Sequence, residues 1–218
     1  MIKRENILKI AIDSPAAAGA GTLAKAISKH YNLSYLDTGK IYRFIAYLKI
    51  KFPKKFNNKF IKLKIKSLKT KDLLNSNLLS DEVGTEASII AKIKSIRKIV
   101  HSFQVNFAYD PPKKYKGSCL DGRDITYNIV PDADFKFYIT ANIKTRALRR
   151  YKELKGLKKK ITYREVLKSI KKRDKSDLNR KIAPLKKTKD SLLINTTNLN
   201  KRSCFLKIKK IIDRKINI

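Results

Sequence analysis

Short apolar stretches alternate along this chain with longer stretches in which apolar residues recur every three or four positions. The first short stretch, Leu8 to Ile12, ends at Asp13, and the second, Leu33 to Leu36, ends at Asp37. Short apolar runs are typical of buried strands, whereas the longer period is typical of amphipathic helices. Because strands that alternate with helices form a parallel sheet covered on both faces, the pattern predicts an α/β fold.

Three further strands and four further helical stretches complete the predicted plan. The strands are Ser118 to Leu120, which ends at Asp121, Phe135 to Thr140, and Leu192 to Asn195; the helical stretches cover residues 86–107, 142–155, 162–176 and 201–215. Parallel sheets bind ligands beyond the carboxyl ends of their strands. We therefore expect Asp13, Asp37 and Asp121 at the functional edge of the sheet.

Two segments do not fit this plan. From Ile61 to Lys66 apolar residues alternate with lysine, which is the period of a half-exposed strand, inside a Lys/Asn-rich insert at residues 52–88. The polar, basic stretch from Lys152 to Thr162 contains Gly156 and joins two predicted helices. We expect the first segment to belong to a small appendage and the second to form a mobile lid.

The composition excludes several classes of protein. The 218 residues are 42% hydrophobic, which is enough for one α/β domain with a buried core. Two cysteines, Cys119 and Cys204, form neither a disulfide framework nor a zinc or redox motif. No apolar run approaches the roughly 20 residues that span a bilayer, and Lys9 and Asp13 interrupt the stretch that a signal peptide needs. We therefore expect a protein of a reducing compartment that is neither exported nor inserted in a membrane.

The net charge of +35 favours anionic partners, namely nucleotides, nucleic acids or lipid headgroups. Lysine supplies most of this charge, since 12 of the 53 basic residues are arginine. Because the chain is rich in lysine, isoleucine and asparagine, the same charge is also consistent with a solvated basic surface that binds no partner. Arginine positions are more informative, because a planar guanidinium binds phosphate through two parallel hydrogen bonds.

Residues 14–22, between the first strand and the first helix, are almost all small. Small residues allow successive backbone N–H groups to turn toward phosphate oxygens at the positive end of a helix dipole. Against the phosphate-loop motif Gly-x-x-x-x-Gly-Lys-Ser/Thr, Gly19 matches, but Ser14 replaces the first glycine and Ala20 replaces the lysine. Taken alone, the segment fits both a nucleotide-binding loop and an ordinary strand-to-helix turn.

The rest of the chain contains further short blocks in a characteristic order. They are Ile12-Asp13 before the loop, Gly21-Thr22 at its end, Asp37-Thr38-Gly39-Lys40-Ile41-Tyr42-Arg43, Ser88 followed by Arg97 and Gln104, Asp121-Gly122-Arg123-Asp124, Pro131-Asp132-Ala133, Arg149-Arg150, Arg173-Asp174, Asp177, Asn179-Arg180 and Ala183-Pro184-Leu185. This ordered set resembles bacterial cytidylate kinase over nearly the whole chain, and Gly21-Thr22 is the ending used by nucleoside monophosphate kinases.

The resemblance implies a P-loop kinase fold with a central parallel sheet flanked by helices. It implies a single domain with a core at residues 1–51, 89–150 and 164–218, an NMP-binding insert at 52–88 and a lid at 151–163. The implied reaction transfers the γ-phosphoryl group of ATP to CMP or dCMP. Magnesium would bridge the ATP phosphates, with Asp121 as a partner through water and no residue binding the metal directly. The implied protein is a cytoplasmic monomer without a membrane partner.

The resemblance also implies a role for each matching residue. Arg43, Arg123 and Arg180 would hold the acceptor phosphate, Ser88, Arg97 and Asp124 would bind the cytosine edge, Arg173 and Asp177 would bind the sugar, and Thr38 would line the acceptor pocket. Arg149 and Arg150 would join the arginines of the phosphate site in catalysis. ATP would bind the loop formed by Ser14, Pro15, Ala16, Ala17, Ala18, Gly19, Ala20, Gly21 and Thr22.

Ala20 leaves three hypotheses open. In the first, the kinase is active and another cation replaces the loop lysine, with Lys40, Arg149, Arg150 and the lid lysines as candidates. In the second, the chain is a slow kinase in which a lysine at position 20 would raise turnover at least about tenfold. In the third, the chain is a pseudoenzyme that binds CMP without converting it.

A basic nucleic-acid-binding protein is the alternative from a different class. The net charge and the lysine-striped segment at 61–66 support it. The sequence has no RNA-binding motif rich in aromatic residues and glycine, no zinc-ligand spacing and no tryptophan. We therefore favour the kinase.

Overall fold

Five parallel strands form the centre of the protein. The computed structural model describes residues 7–156 and 160–216. Its strands are β1 Leu8–Asp13, β2 Ser34–Asp37, β3 Gly117–Gly122, β4 Phe135–Thr140 and β5 Leu192–Asn195. They lie in the order β2-β3-β1-β4-β5, and each neighbouring pair is parallel. The predicted α/β fold with a parallel sheet is confirmed, and the five predicted strands coincide with these five.

Helices cover both faces of the sheet. In the described residues they are α1 Ala20–His30, α2 Thr38–Lys51, α3 Asn58–Lys66, α4 Asp81–Ile90, α5 Lys94–Tyr109, α6 Ile143–Gly156, α7 Tyr163–Asn179 and α8 Lys201–Ile216. Short 3-10 turns occupy Pro53–Lys55, Thr70–Leu74 and Ser76–Leu79, and a π-helical turn at Ile125–Ile129 follows β3. None of the described helices combines the length and apolar character needed to cross a membrane.

The alternation of side chains along the strands divides the core into two halves. On β1, Ile10 and Ile12 belong to one half and Ala11 to the other. The half that contains Ile10 packs against α1 and α8, for example through Ile27 and Ile208. The other half packs against α2, α4, α5 and the insert. Because helices cover both faces of the sheet, its inner strands β1 and β3 are almost continuously buried.

The strand predicted for residues 61–66 is wrong, because this segment lies within helix α3. Ile61 and Ile65 are four positions apart and buried on one helix face, whereas Leu63, between them, is 64% exposed. Over only six residues, apolar positions that alternate with lysine include a pair four positions apart, which is also the spacing of one helix face. A helix satisfies its backbone hydrogen bonds internally, whereas a strand needs a partner strand.

The single helical stretch predicted for residues 86–107 is two helices. Helix α4 ends at Ile90, the chain turns at residues 91–93, and α5 begins at Lys94. The N–H groups of the turn bond back to carbonyls near the end of α4, which closes the first helix. The break lets Ser88 on α4 and Arg97 on α5 line the same cavity.

The helices on either side of the predicted lid extend into it. Helix α6 continues to Gly156, and α7 begins at Tyr163. Thr162 and Glu165 form a capping box at the start of α7, in which each side chain bonds to the other residue's backbone N–H. Residues 157–159 of the predicted lid lie outside the described residues.

Asp13 joins the end of β1 to the segment that follows β3. Its buried carboxylate accepts hydrogen bonds from Ile125 N (2.8 Å), Thr126 N (2.9 Å) and Thr126 Oγ1 (2.6 Å). Burial raises the pKa of Asp13 to about 6, whereas the three hydrogen bonds favour its ionised form. These bonds fix the backbone directly after Asp124.

We expect Asp13→Asn to lower the free energy of unfolding by about 1–3 kcal/mol. The asparagine amide would point its own N–H groups at one of the three donors and leave that donor unpaired in the core. Urea denaturation measures the difference. Asp110→Asn, at an exposed carboxylate, is the matched control and should change the stability by less than about 0.5 kcal/mol. Equal stability of Asp13→Asn and the parent chain would contradict this role.

Candidate active site

A cavity lies at the carboxyl edge of the sheet, between α2, α4, α5, α7 and the end of β3. Its lining consists of Thr38, Gly39, Tyr42, Arg43, Ala87, Ser88, Ala91, Arg97, Gly122, Arg123, Asp124, Arg173, Asp177 and Arg180. The nine residues to which the resemblance assigns the acceptor nucleotide are all in this set. They come from widely separated segments of the chain that the tertiary structure brings together.

Asp124 is held at the inner wall of the cavity by three side chains. Its Oδ2 accepts hydrogen bonds from Arg97 Nη2 (2.5 Å) and Asn128 Nδ2 (2.8 Å), and its Oδ1 lies 3.7 Å from Arg180 Nη2. Arg97 also donates to Ala91 O (3.2 Å). Both Arg97 and Asp124 are buried, so this ion pair has a fixed position and orientation.

Asp177 is surrounded by three guanidinium groups. Its Oδ2 accepts a hydrogen bond from Arg123 Nε (2.8 Å) and lies 3.9 Å from Arg173 Nε, while its Oδ1 lies 3.8 Å from Arg180 Nη1. Burial opposes ionisation of Asp177, but Arg123 and Arg173 outweigh it and hold the pKa of this carboxyl below its usual range. Burial and the neighbouring Arg123 lower the pKa of Arg173 to about 10. The cavity therefore contains crowded positive charge that an anion would stabilise.

Arg43 reaches the cavity from α2 and is fixed by the insert. Its Nη1 donates to Leu78 O (2.7 Å) and Ser80 O (3.2 Å). Its Nη2 lies against Gly84 of α4, where an added Cβ would come within 2.8 Å of this nitrogen. The glycine at position 84 thus provides the space that the guanidinium group of Arg43 occupies.

The small-residue loop turns from β1 into α1. Ala17 (φ 59°) and Gly19 (φ 92°) adopt the left-handed conformation, and α1 begins directly after Gly19 with no acidic residue in its first turn. Left-handed residues next to a helix N-terminus direct successive N–H groups into a concave site for anions. The loop therefore has the backbone shape of a phosphate site although it lacks the lysine.

Two side chains donate hydrogen bonds to backbone carbonyl oxygens of this loop. Arg146 Nη1 donates to Ala16 O (2.9 Å), and Thr196 Oγ1 donates to Ala18 O (3.1 Å). The buried Arg146 also donates to Ala141 O (2.9 Å) after β4 and to Asp174 Oδ2 (2.6 Å) on α7. A single guanidinium group thus connects the loop with α7, the helix that carries Arg173 and Asp177.

The sequence pattern did not identify Arg146. The signal that could have identified it is that position 146 is an arginine, three positions before Arg149, in a chain whose basic residues are mostly lysine. Asp174 was part of a motif but had no assigned role. Both residues act through backbone and side-chain contacts between distant elements, which motif comparison alone does not reveal.

Arg149 and Arg150 lie outside the lining of the acceptor cavity. Arg149 donates to Thr196 Oγ1 (2.9 Å) and Thr196 O (2.6 Å), and its Nη1 lies 4.0 Å from the position of a Cβ on Gly19. Arg150 forms an ion pair with Glu153 (3.0 Å). Arg149 therefore lies beside the loop, on the side where the loop meets β5.

Asp121 lies between the loop and the acceptor cavity. Tyr35 donates its hydroxyl hydrogen to Asp121 Oδ1 (2.7 Å), and Asp121 Oδ2 lies 3.6 Å from the position of a Cβ on Gly21. Asp37 is paired with Asp121 across β2 and β3. Burial and the nearby Asp37 raise the pKa of Asp121, and a cation next to this carboxyl group would favour its ionised form.

Comparison with known proteins identifies the family. The family model for cytidylate kinase matches residues 10–214. The chain is 40% identical over 209 residues to the cytidylate kinase of Bartonella bacilliformis, covering 95% of each protein. It is 38% identical over 223 residues to that of Mesomycoplasma hyopneumoniae (96% of this chain, 95% of the relative). It is 39% identical over 218 residues to that of Clostridium tetani (95% and 94%).

Two solved structures resemble the chain in fold. An uncharacterized protein from Eubacterium ventriosum has a TM-score of 0.55 at 17% identity and covers 94% of this chain and 98% of its own. A protein from Thermus thermophilus has a TM-score of 0.51 at 12% identity, with 97% and 98% covered. These identities are low, so the two structures support the fold alone.

The family match and the named relatives extend over nearly the whole length of the chain. The cavity that collects the nine predicted acceptor-site residues lies inside the matched range. The chain belongs to the cytidylate kinase family.

Proposed function

We propose that this member of the family transfers the γ-phosphoryl group of ATP to CMP or dCMP and releases ADP with CDP or dCDP. The observation that carries the proposal is the cavity in which five arginines and two aspartates meet beside a phosphate-loop backbone. Five guanidinium groups against two carboxylates leave an excess of positive charge for a phosphate dianion.

The acceptor phosphate would bind Arg43, Arg123 and Arg180. A guanidinium group presents its N–H groups in a plane and binds phosphate oxygens in pairs, a geometry that lysine does not provide. Burial, together with the neighbouring Arg123, lowers the pKa of Arg173 to about 10. A bound anion would relieve the repulsion between these two cations, which supports this assignment. Thr38 would line the same pocket.

The cytosine base would bind Ser88, Arg97 and Asp124. The carboxylate of Asp124 would accept from the exocyclic amine, and Arg97 would donate to the ring acceptors. Uracil has a carbonyl in place of that amine, so a uracil oxygen would face the carboxylate without a hydrogen between them. For the sugar we propose Arg173 and Asp177; in the described residues Arg173 Nε is buried without a hydrogen-bond partner.

ATP would bind the loop from Ser14 to Thr22, whose N–H groups would face its phosphates. We propose that Arg149 and Arg150 act with residues 151–163 as a lid over these phosphates. Magnesium would be held mainly by ATP, with Asp121 binding through water. When bound, the ion would neutralise negative charge on the ATP phosphates.

The protein's contribution to phosphoryl transfer is positioning and electrostatic stabilisation. The transition state is loose and spreads negative charge over the oxygens of the transferred group. Arginines on both sides of this group would stabilise that charge without changing position, and lid closure would exclude water as a competing acceptor. No general base is required, because the acceptor is already an anionic phosphate oxygen.

We further propose a cytoplasmic monomer whose insert at residues 52–88 carries part of the acceptor site. The cytidylate kinase family match does not favour the nucleic-acid alternative, and the lysine-striped segment that supported it is a helix and not a strand. The remaining support is the net charge of +35.

A nucleotide panel tests the proposed function. With ATP and magnesium, we expect product from CMP and dCMP and rates at least about tenfold lower with UMP and AMP. Omitting ATP or magnesium should abolish product formation. Saturable CMP binding by calorimetry without any CDP would favour the pseudoenzyme, and no CMP binding together with retention on nucleic acid at about 0.2 M salt would favour the alternative.

Gly84→Ala tests the placement of Arg43. The added methyl group should displace the guanidinium group and lower kcat/KM for CMP roughly 10- to 100-fold, the loss of a charge-assisted hydrogen bond. The free energy of unfolding should change by less than about 1 kcal/mol, because the higher helix propensity of alanine offsets part of the loss of the Arg43 hydrogen bonds to Leu78 O and Ser80 O. Thr85→Ala, at the next and exposed position of α4, is the matched control. Unaltered kcat/KM for CMP in Gly84→Ala would refute this role of Arg43.

A further inference from the structure

The turn that follows α7 carries Arg180 and holds one end of its guanidinium group. The Nε atom of Arg180 donates a hydrogen bond to Ala183 O (2.6 Å) within the same turn. Its Nη2 lies 3.7 Å from Asp124 Oδ1 and its Nη1 lies 3.8 Å from Asp177 Oδ1, both beyond hydrogen-bond distance. The two Nη groups therefore keep donors for a phosphate, and their position depends on the turn at residues 180–185.

This turn has a backbone conformation that needs support from its surroundings. Ala183 has a φ of 49°, in the left-handed region that residues other than glycine rarely adopt. Leu185 N donates to Asp177 O (2.8 Å), which joins the turn to the end of α7. The hydroxyl group of Tyr127 donates to Pro184 O (2.5 Å) from a position 57 residues earlier in the chain. The bond from Tyr127 thus connects the turn to a separate part of the protein.

Tyr127 belongs to the π-helical turn that begins directly after Asp124. Asp13 accepts hydrogen bonds from the N–H groups of Ile125 and Thr126, so this turn is fixed to the end of β1. Burial and the nearby Asp124 raise the pKa of Tyr127, and its hydroxyl group therefore keeps the proton that it donates. The donor of the bond to the second turn is thus held by the same contacts that hold Asp124.

The aromatic ring and the hydroxyl group of Tyr127 make separate contacts with this part of the chain. The Nζ atom of Lys186 lies 4.1 Å from the centre of the ring, a distance typical of a cation–π interaction. Lys186 is exposed, whereas the hydroxyl group bonds to the backbone of the turn itself. Because phenylalanine keeps the ring and lacks the hydroxyl group, the two contacts can be tested separately.

We propose that Tyr127 is a positioning residue for the acceptor phosphate: its hydroxyl group holds the turn at residues 180–185 and thereby places the guanidinium group of Arg180. The inference rests on the proposed function, in which Arg180 binds that phosphate and Asp124 binds the base. Tyr127 does not line the cavity and acts through the turn. One CMP molecule would contact Asp124 and Arg180 together, so a fixed separation between them favours its binding.

Tyr127→Phe should raise the KM for CMP about five- to tenfold, the contribution of one such hydrogen bond. The KM for ATP should stay within about twofold, because Arg180 lines the acceptor cavity and is not part of the phosphate loop. A rise in the KM for ATP as large as the rise for CMP would indicate a general disturbance of the protein and would overturn the proposal.

Tyr115→Phe is the matched control. Tyr115 is a half-buried tyrosine, like Tyr127, and the Nζ atom of Lys114 lies 5.2 Å from the centre of its ring. It precedes β3, at the end of the strand opposite the cavity. Its removal of a hydroxyl group should change the KM for CMP by less than about twofold. Equal KM values for CMP in Tyr115→Phe and Tyr127→Phe would contradict the role of Tyr127.

A second arm tests whether Tyr127 acts through Arg180. In an Arg180→Ala background there is no guanidinium group to place, so adding Tyr127→Phe should raise the KM for CMP by less than about twofold. Such non-additivity is the signature of two residues that act together. The same rise in both backgrounds would show that Tyr127 acts independently of Arg180 and would overturn the proposal.

Calorimetry with CMP alone separates the role of Tyr127 from the proposed function. Tyr127→Phe should weaken CMP binding about five- to tenfold. A chain that makes no CDP but loses CMP affinity on Tyr127→Phe would refute the proposed function and support the role of Tyr127. A chain whose turnover and CMP affinity survive Tyr127→Phe would support the kinase and refute that role. A chain that binds no CMP would refute both.

Discussion

The parallel pairing of β1, β2 and β3 is the constraint on which the candidate site depends. In this register Asp37 pairs with Asp121, and Asp13 pairs with Gly122, so three strands end at the same edge. The phosphate loop, the first turn of α2 and the Arg123–Asp124 segment all start there. Their relative positions are set by backbone hydrogen bonds of the sheet, and side chains only refine that geometry. This is why residues far apart in sequence line one cavity.

The burial of guanidinium groups and the repulsion among them are energetic costs of the cavity. Asp124 and Asp177 offset part of these costs: each binds one arginine closely and lies within 4 Å of Arg180. The remaining positive charge is not neutralised by the carboxylates of the cavity, and the lowered pKa of Arg173 reflects this. Such a site favours a ligand that carries two negative charges close together. Stability and function are therefore opposed here, as is common where a protein holds like charges together.

Shape and charge are separate properties of the phosphate loop. Its shape comes from the left-handed backbone conformation of Ala17 and Gly19. It also comes from hydrogen bonds that Arg146 and Thr196 donate to loop carbonyl oxygens. An alanine with positive φ costs roughly 1–2 kcal/mol, and these contacts offset that strain. None of them involves position 20. Replacing the lysine with alanine therefore removes a charge without removing the loop.

The sequence by itself determined the parallel α/β fold, the five strands and the arginines of the site. Apolar runs that end at aspartate are local signals, and arginine is conspicuous in a chain rich in lysine. It did not determine that residues 61–66 form a helix, because Ile61 and Ile65 fit both periods until the insert packs on α2 and α5. Nor did it identify Arg146 or the space at Gly84. Those features are contacts between elements distant in sequence, and only the tertiary structure decides which distant groups meet.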